Sequence, residues 1–355
     1  MRRSIAALAA VLLLAVLAAC SSEDDPTATA TTQPATESAT ATEEATAEAT
    51  GTSEAAAAAG GERSFTDDRG VTFVAEGDEL RIVAETSVAA ALIENGVELV
   101  GVFGQLEDAQ GNPYGGVDFS GIANVGGAAY GEINLEALSE ADPDVIVTIS
   151  WGPDSWWWIN ADIVDEVQAI ATLVTVAVSD GTAGVPAPAI IERFDELAVV
   201  LGGAGASEDA KARYEAAEAA LVAAVEAKPE ITLMFASSST DTFYIADPPA
   251  WPDLSYYASL GVPVIRTETT EGGFWEYLSL ESIDKYDVDL ILLDDRDPGQ
   301  GARLAADVPL WPTLPAVAAE QVVLWPISGR VYTYAGFAEV LELITEAVNA
   351  SADVS

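Results

Sequence analysis

The chain has 355 residues, with 58 acidic and 14 basic side chains, no histidine and one cysteine, for a formal charge of −44. Such a charge repels nucleic acid and anionic lipid, and the missing residue types remove Ser-His-Asp and Cys-His nucleophilic machinery, histidine-ligated zinc or haem, and cysteine-rich metal sites. Carboxylate pairs remain, so hydrolysis of the glycosidase type is not excluded by residue types alone.

Met1-Arg2-Arg3, the apolar stretch Ile5 to Val16 and Leu17-Ala18-Ala19-Cys20 have the charge, core and small-residue order of a secretory signal. The apolar core is too short to span a bilayer, which needs roughly 20 residues. Leu17-Ala18-Ala19-Cys20 resembles the lipobox of bacterial lipoproteins. That resemblance implies removal of residues 1–19, lipidation of Cys20 and a protein held on the extracytoplasmic face of the cell membrane. Residues 20–61 are rich in Ala, Thr, Glu, Ser and Pro and lack aromatic residues, so they read as a disordered tether.

The remaining residues, from about 62 to 352, suit two lobes of about 100 to 150 residues each. Leu80–Ala84 reads as a strand, Ser87–Asn95 as a helix ended by Gly96, and Leu99–Phe103 as a strand. Helices at Asn134–Ala141 and Ala161–Ile170 alternate with strands at Asp144–Ile149 and Leu173–Val178. Between Ala187 and Leu201 the apolar residues share one helical face, and Gly202-Gly203 stops that helix. Glu208–Ala227 is a second helix. A new series follows: strand Ile231–Ala236, helix Leu254–Leu260, strand Val262–Arg266, helix Ser279–Tyr286, strand Val288–Leu293, strand Gln321–Trp325 and helix Ala335–Val348. Alternating βα units predict an α/β fold whose two lobes each hold a mainly parallel sheet covered by helices.

The two halves share an internal repeat. Asn134-Leu135-Glu136 leading to Asp142-Pro143-Asp144-Val145-Ile146-Val147 returns, shifted by 145 positions, as Ser279-Leu280-Glu281 leading to Asp287-Val288-Asp289-Leu290-Ile291-Leu292. Asn134 and Ser279 sit where helix N-caps belong, which puts Glu136 and Glu281 in first turns.

These segments, with Trp311 to Pro315, Val322 to Trp325 and Tyr334-Ala335-Gly336, resemble the solute-binding proteins of ABC importers for iron-siderophores and cobalamin. The resemblance covers about residues 78 to 349. It implies two α/β lobes, 62–186 and 203–352, joined by one rigid helix at 187–202, a ligand cleft between them, and one glutamate per lobe docking on a permease, here Glu136 and Glu281. The implied partners are that permease and its ATPase. A monomer without enzymatic activity is expected.

In parallel α/β sheets ligands bind beyond the carboxyl ends of the strands. The candidate ligand contacts there are Trp151 and Trp156-Trp157-Trp158, then Tyr244 and Trp251, then Arg296, then Trp325 with Arg330 and Tyr332 beyond it; Trp275, before the second repeat, is another. Three consecutive tryptophans cannot all enter one core from one loop, so some face ligand, partner lobe or solvent. Aromatic walls suit a bulky chelate. Twelve basic residues follow the tether, and only Arg296 and Arg330 fall on these loops, which favours a neutral or cationic iron(III)-hydroxamate over a polyanionic catecholate. The chelator would supply every iron ligand, so no cofactor or metal is expected on the protein itself. Cobalamin is the alternative within the class; an exported carboxylate-dependent hydrolase or a surface sensor is the alternative outside it.

Overall fold

The computed structural model describes residues 63–106, 113–114, 117–269, 273–327 and 331–355. Cys20 and Arg330 lie outside them, as do the expected leader and tether. The first lobe opens with a hairpin, β1 (Arg63–Thr66) against β2 (Thr72–Ala75), followed by β3 (Ile82–Glu85), α1 (Thr86–Glu94), β4 (Gly101–Phe103), β5 (Ala123–Asn124), α2 (Leu135–Glu140), β6 (Val145–Ser150), α3 (Val164–Ile170) and β7 (Thr172–Ala177). Its sheet has the order β5-β4-β3-β6-β7, and every pairing is parallel. Both faces of such a sheet must be covered, and β6 is accordingly buried along its whole length. The hairpin is tied to this sheet by the buried Asp67, whose carboxylate accepts from Thr175 N–H at 3.1 Å and pairs with Arg69 at 2.7 Å.

Helix α4 (Ala187–Val200) leads from this lobe into α5 (Glu208–Ala227). The buried side of α4, Ile190, Ile191, Phe194, Leu197 and Ala198, belongs to a core that draws residues from both lobes. The second lobe contains β8 (Leu233–Ser238), β9 (Thr242–Ala246), α6 (Pro252–Ser259), β10 (Trp275–Ser279), β11 (Leu290–Asp294), α7 (Gln300–Asp307), α8 (Pro315–Ala318), β12 (Val322–Trp325) and α9 (Tyr334–Ala350). Its sheet order is β10-β9-β8-β11-β12. Here the pairings of β11 with β8 and β12 are parallel, whereas β8, β9 and β10 form an antiparallel meander. Among the described residues no helix is long and apolar enough to cross a membrane.

Two expected elements are absent. Val262–Arg266 makes only an isolated parallel bridge, Val264 to Leu233, because β9 already occupies the flank of β8 from Ala236 to Ser238. The helix expected at Ser279–Tyr286 is replaced by turns. Ser279 is the last paired residue of β10, opposite Thr242, and Lys285 and Tyr286 are both drawn back to the carboxylate of Glu276 on that strand. A helix would carry them away from it.

The repeat survives where the chain enters the sheet. Strands β6 and β11 begin 145 residues apart and each is fourth in its sheet. The aspartate before each strand performs the same task. Asp144 accepts from the N–H of Arg81, just before β3, at 2.7 Å. Asp289 accepts from the N–H of Thr232, just before β8, at 2.8 Å, and from its hydroxyl at 2.9 Å. Burial alone raises the Asp289 carboxyl, but the hydrogen bonds from Thr232, Val354 and Ser355 outweigh it and hold it below its usual range. Asp289→Ala strands four donors and should lower stability by about 2–3 kcal/mol, measured by denaturant unfolding. Because the folded pKa is the lower one, the wild-type advantage should be complete well above pH 3.8, its ordinary value, and disappear as pH falls through the folded value.

Candidate functional site

The parallel strands point their carboxyl ends to one pole of each lobe, and the loop after β6 there carries Trp151, Trp156, Trp157 and Trp158. Past β6 the chain runs Trp151 to Trp158 and is fastened back to the strand it left. Trp157 N–H donates to Ile149 O at 3.0 Å, and Thr148 Oγ1 donates to Trp157 O at 2.7 Å. A turn closes from Trp156 O to Ile159 N at 3.1 Å and leaves Trp158 at φ +61°. That conformation is costly for a side chain of this size and persists only where its surroundings over-determine it.

The turn distributes the three indoles. Trp156 and Trp158 pack on the cluster that contains Val83, Phe103 and Ile146, whereas Trp157 packs with Trp151 on the larger core. All four tryptophans of the loop are part-exposed. Tyr130, 53% exposed, lies across the turn with ring centroids 5.4 Å from Trp157 and 4.9 Å from Trp158. It stands in a Gly-rich stretch that no periodicity singles out, and the sequence reading missed it. Burial raises its phenol, and the charge of Glu85 adds to the shift.

Glu85 ends β3 and is fully buried. It caps α1, accepting from Ser87 N–H at 2.9 Å, Val88 N–H at 3.4 Å, Thr86 Oγ1 at 2.8 Å and the Ser87 hydroxyl. Burial pushes its carboxyl up against these lowering hydrogen bonds. Gly104, at φ +110°, passes directly over this cap, where a Cβ would meet Thr86 Oγ1 at 2.7 Å and Glu85 Oε1 at 2.9 Å.

The second lobe answers with its own aromatic surface. Tyr244 on β9 and Tyr277 on β10 are cross-strand partners, with rings 5.4 Å apart, and Trp275 lies 6.1 Å from Tyr244. Tyr277 is 68% exposed. Phe274, Trp275 and Tyr277 line a concavity of about 680 Å³ with Glu268 and Thr269. The lobes meet at Trp151, whose ring lies 5.4 Å from Phe274 and 6.2 Å from Trp251. The Nε1 atoms of Trp151 and Trp156 are buried and make no hydrogen bond among the described residues.

Not every residue expected at the cleft belongs to it. Trp325 is wholly buried, its Nε1 donating to Asp253 at 3.0 Å, because as the last residue of β12 its side chain turns into the core between Phe235 and Trp251. Trp251 is also buried and donates to Phe274 O at 2.9 Å. Tyr332 is buried between Phe194 and Phe337. These three support the site from behind, whereas Trp151, Trp157, Trp158, Tyr130, Tyr244, Trp275 and Tyr277 give it a surface.

Arg296 does follow β11, but Asp294 holds it in an ion pair, Nε lying 2.8 Å from Oδ2. Asp297 pairs with Arg303 instead. The same is true across the molecule: all eleven described Lys and Arg residues contact a carboxylate or a backbone carbonyl oxygen. The positive charge at the described loops is therefore already compensated.

Glu136 and Glu281 are both exposed. Asn134 caps α2 by accepting from Ala137 N–H at 3.1 Å, which puts Glu136 in the first turn. Glu281 lies in the turn after β10, whose end at Ser279 pairs with Thr242, just beyond the carboxyl end of β8. Each glutamate therefore stands at the carboxyl-end rim of its own lobe.

Residues 102–328 match the family described as periplasmic binding protein. The chain belongs to that family. Among solved structures it is similar to DesE, a ferric-siderophore receptor protein from Streptomyces coelicolor, with 32% identity, a TM-score of 0.73, and coverage of 82% of this chain and 99% of DesE. It is also similar to the siderophore periplasmic binding protein from the fuscachelin gene cluster of Thermobifida fusca, at 25% identity and a TM-score of 0.58, covering 77% and 97% of the two chains. FhuD from Vibrio cholerae, a siderophore-binding protein bound to Fe3+-Desferal, shares the fold at 18% identity and a TM-score of 0.54, over 76% of this chain and 98% of that one. No curated protein matches the chain.

If Trp325 is a core residue, Trp325→Ala should cost about 3–5 kcal/mol of stability. Thermal unfolding would check this, and ligand affinity measured well below the unfolding temperature should change far less than it does in Trp151→Ala.

Proposed function

We propose that this protein is the extracytoplasmic substrate-binding component of an ABC importer, capturing an iron(III)-siderophore complex of hydroxamate type and handing it to a membrane permease. The observation that carries this reading is the 32% identity to a ferric-siderophore receptor over almost the whole of that receptor. The site is compatible with it in chemistry as well as fold. Indole and phenol rings from both lobes offer broad faces for a bulky chelate and polar edges for its oxygens. The buried Nε1 of Trp151, which makes no hydrogen bond among the described residues and sits where the lobes meet, is a donor that a carbonyl or hydroxamate oxygen would satisfy. Iron is cargo, and the chelator supplies its ligands.

Delivery requires a surface that the permease reads. Glu136 and Glu281, exposed on the same pole of the two lobes, are suited to a pair of cationic pockets. Lipidation at Cys20 would keep the protein on the extracytoplasmic face of the membrane, within reach of that permease. The compensated state of the described cations argues against a polyanionic catecholate complex.

Tryptophan-fluorescence titration of the chain carrying Cys20→Ala with ferrioxamine B, ferric enterobactin and cobalamin tests the ligand. Saturable quenching by ferrioxamine B at submicromolar concentration, weakened at least tenfold by Trp151→Ala, is the expected result. Saturation by cobalamin alone would replace the siderophore reading. A separate assay addresses docking: Glu136→Ala with Glu281→Ala should leave ligand affinity unchanged while abolishing uptake in cells that depend on this protein.

A further inference from the structure

The two glutamates proposed to meet the permease stand on unlike supports. Glu136 lies in the first turn of α2, where the helix and its Asn134 cap fix the backbone. Glu281 lies where turns replace the matching helix. There Ser282 N–H donates to Ser279 O at 2.9 Å and Lys285 N–H to Ser282 O at 3.2 Å. Short exposed turns open easily unless contacts with the rest of the fold secure them.

Glu276 provides such a contact. Side chains alternate along a strand, so Trp275 and Tyr277 of β10 lie with Tyr244 on the aromatic surface, whereas Glu276 is buried and Leu278 packs on the second-lobe core. The Glu276 carboxylate accepts from the Tyr286 hydroxyl at 2.8 Å, from Lys285 Nζ, and from the backbone N–H of Glu268 at 3.2 Å. Lys285 also pairs with Glu268 at 2.8 Å. Burial alone raises the Glu276 carboxyl, but Lys285 and Tyr286 outweigh it and hold the group below its usual range. The segment that carries Glu281 is therefore tied at both ends. Strand pairing of Ser279 with Thr242 holds one end, and Glu276 grips Lys285 and Tyr286 at the other. Between the ties Ile283 is buried in the core, while Glu281 stays exposed.

We infer that Glu276 is a positioning residue for docking: by gripping Lys285 and Tyr286 it fixes the turn that presents Glu281 to the permease, as a helix fixes Glu136 in the first lobe. This rests on the docking reading above and adds to it the group that makes the second contact rigid. A carboxylate that must enter its pocket at the same time as a partner on the other lobe gains from a backbone already in place, because ordering the turn on contact would subtract from affinity.

The grip is released from the turn side by Lys285→Met with Tyr286→Phe, which leaves Glu276 and Glu281 as they are. In the chain carrying Cys20→Ala, amide hydrogen exchange across residues 280–287 should become about tenfold faster in this variant, with β11 unchanged as the control for the fold. In cells that depend on this protein, uptake of ferrioxamine B should fall about tenfold, as in Glu281→Ala, while affinity measured by tryptophan fluorescence changes by less than about threefold. Adding Glu281→Ala to the variant should cause no further loss, since residues that act through one group are not additive. Lys285→Arg, which keeps the charge, should transport as the parent does. Unchanged exchange in the turn, parent-level uptake by the variant beside a loss in Glu281→Ala, or a loss of uptake matched by an equal loss of affinity would each overturn the positioning role and leave the docking reading standing. Parent-level uptake in Glu281→Ala would overturn the docking reading and this inference with it.

Discussion

The carboxylates of Asp144 and Asp289 fix how each sheet starts. Parallel neighbours cannot be set in register by a tight turn, since a crossover of a dozen or more residues separates them. In both lobes an aspartate one residue ahead of the fourth strand accepts the backbone N–H that precedes the neighbouring strand, β3 in one case and β8 in the other. Arg81 completes the first clamp by donating to Ala141 O and Asp142 O, the carbonyls at the end of α2. With the amino ends pinned, the carboxyl ends finish together, and the loops that leave them are gathered at one pole. The site is a consequence of that alignment.

What is then built on the pole differs between the lobes. The first presents a short, tightly fastened loop in which Thr148 and Ile149 hold Trp157 by its backbone. Such fastening allows Trp158 to remain in a left-handed conformation, so two indoles face one cluster and one faces another. The second lobe uses the antiparallel meander instead, where cross-strand neighbours such as Tyr244 and Tyr277 come into contact without any loop to place them. Trp151 joins these surfaces, and the core that contains α4 runs behind both. The exposed aromatic surface and the packing between the lobes therefore draw on the same residues.

Much of this was legible in the amino-acid order. Helices α4, α5 and α9 carry long apolar stripes and clear stops, and the repeat exposed the matched units around β6 and β11. The failures have local causes. Ser279-Leu280-Glu281 has the composition of a helix start, but strand pairing through Ser279 and the pull of Glu276 on Lys285 and Tyr286 override it. Strand β9 was hidden because Thr242 to Ala246 follows β8 too closely for a βα crossover, the connection on which the parallel reading relied. Exits from strands pointed to the Trp151–Trp158 loop, which the fold does place at the carboxyl end of β6, yet they could not separate Trp325, which turns inward, from residues that turn outward. Tyr130 reaches the site from a connection lacking either period, and only the folded turn beside Trp157 and Trp158 gives it a role.

Charge brings the fold and the ligand together. With acidic residues outnumbering basic ones 58 to 14, cations are scarce, and the described ones are spent on structure: Arg69 on the hairpin, Arg81 on α2, Lys228 on the last carbonyls of α9, Arg296 on Asp294. Freeing any of them for an anionic ligand would leave a carboxylate or a helix end uncompensated, and the loss of one partner from a buried pair is costly. A neutral or cationic complex demands no such exchange. What the described loops offer instead is ring faces and the Nε1 of Trp151, groups that need no charge on what they contact.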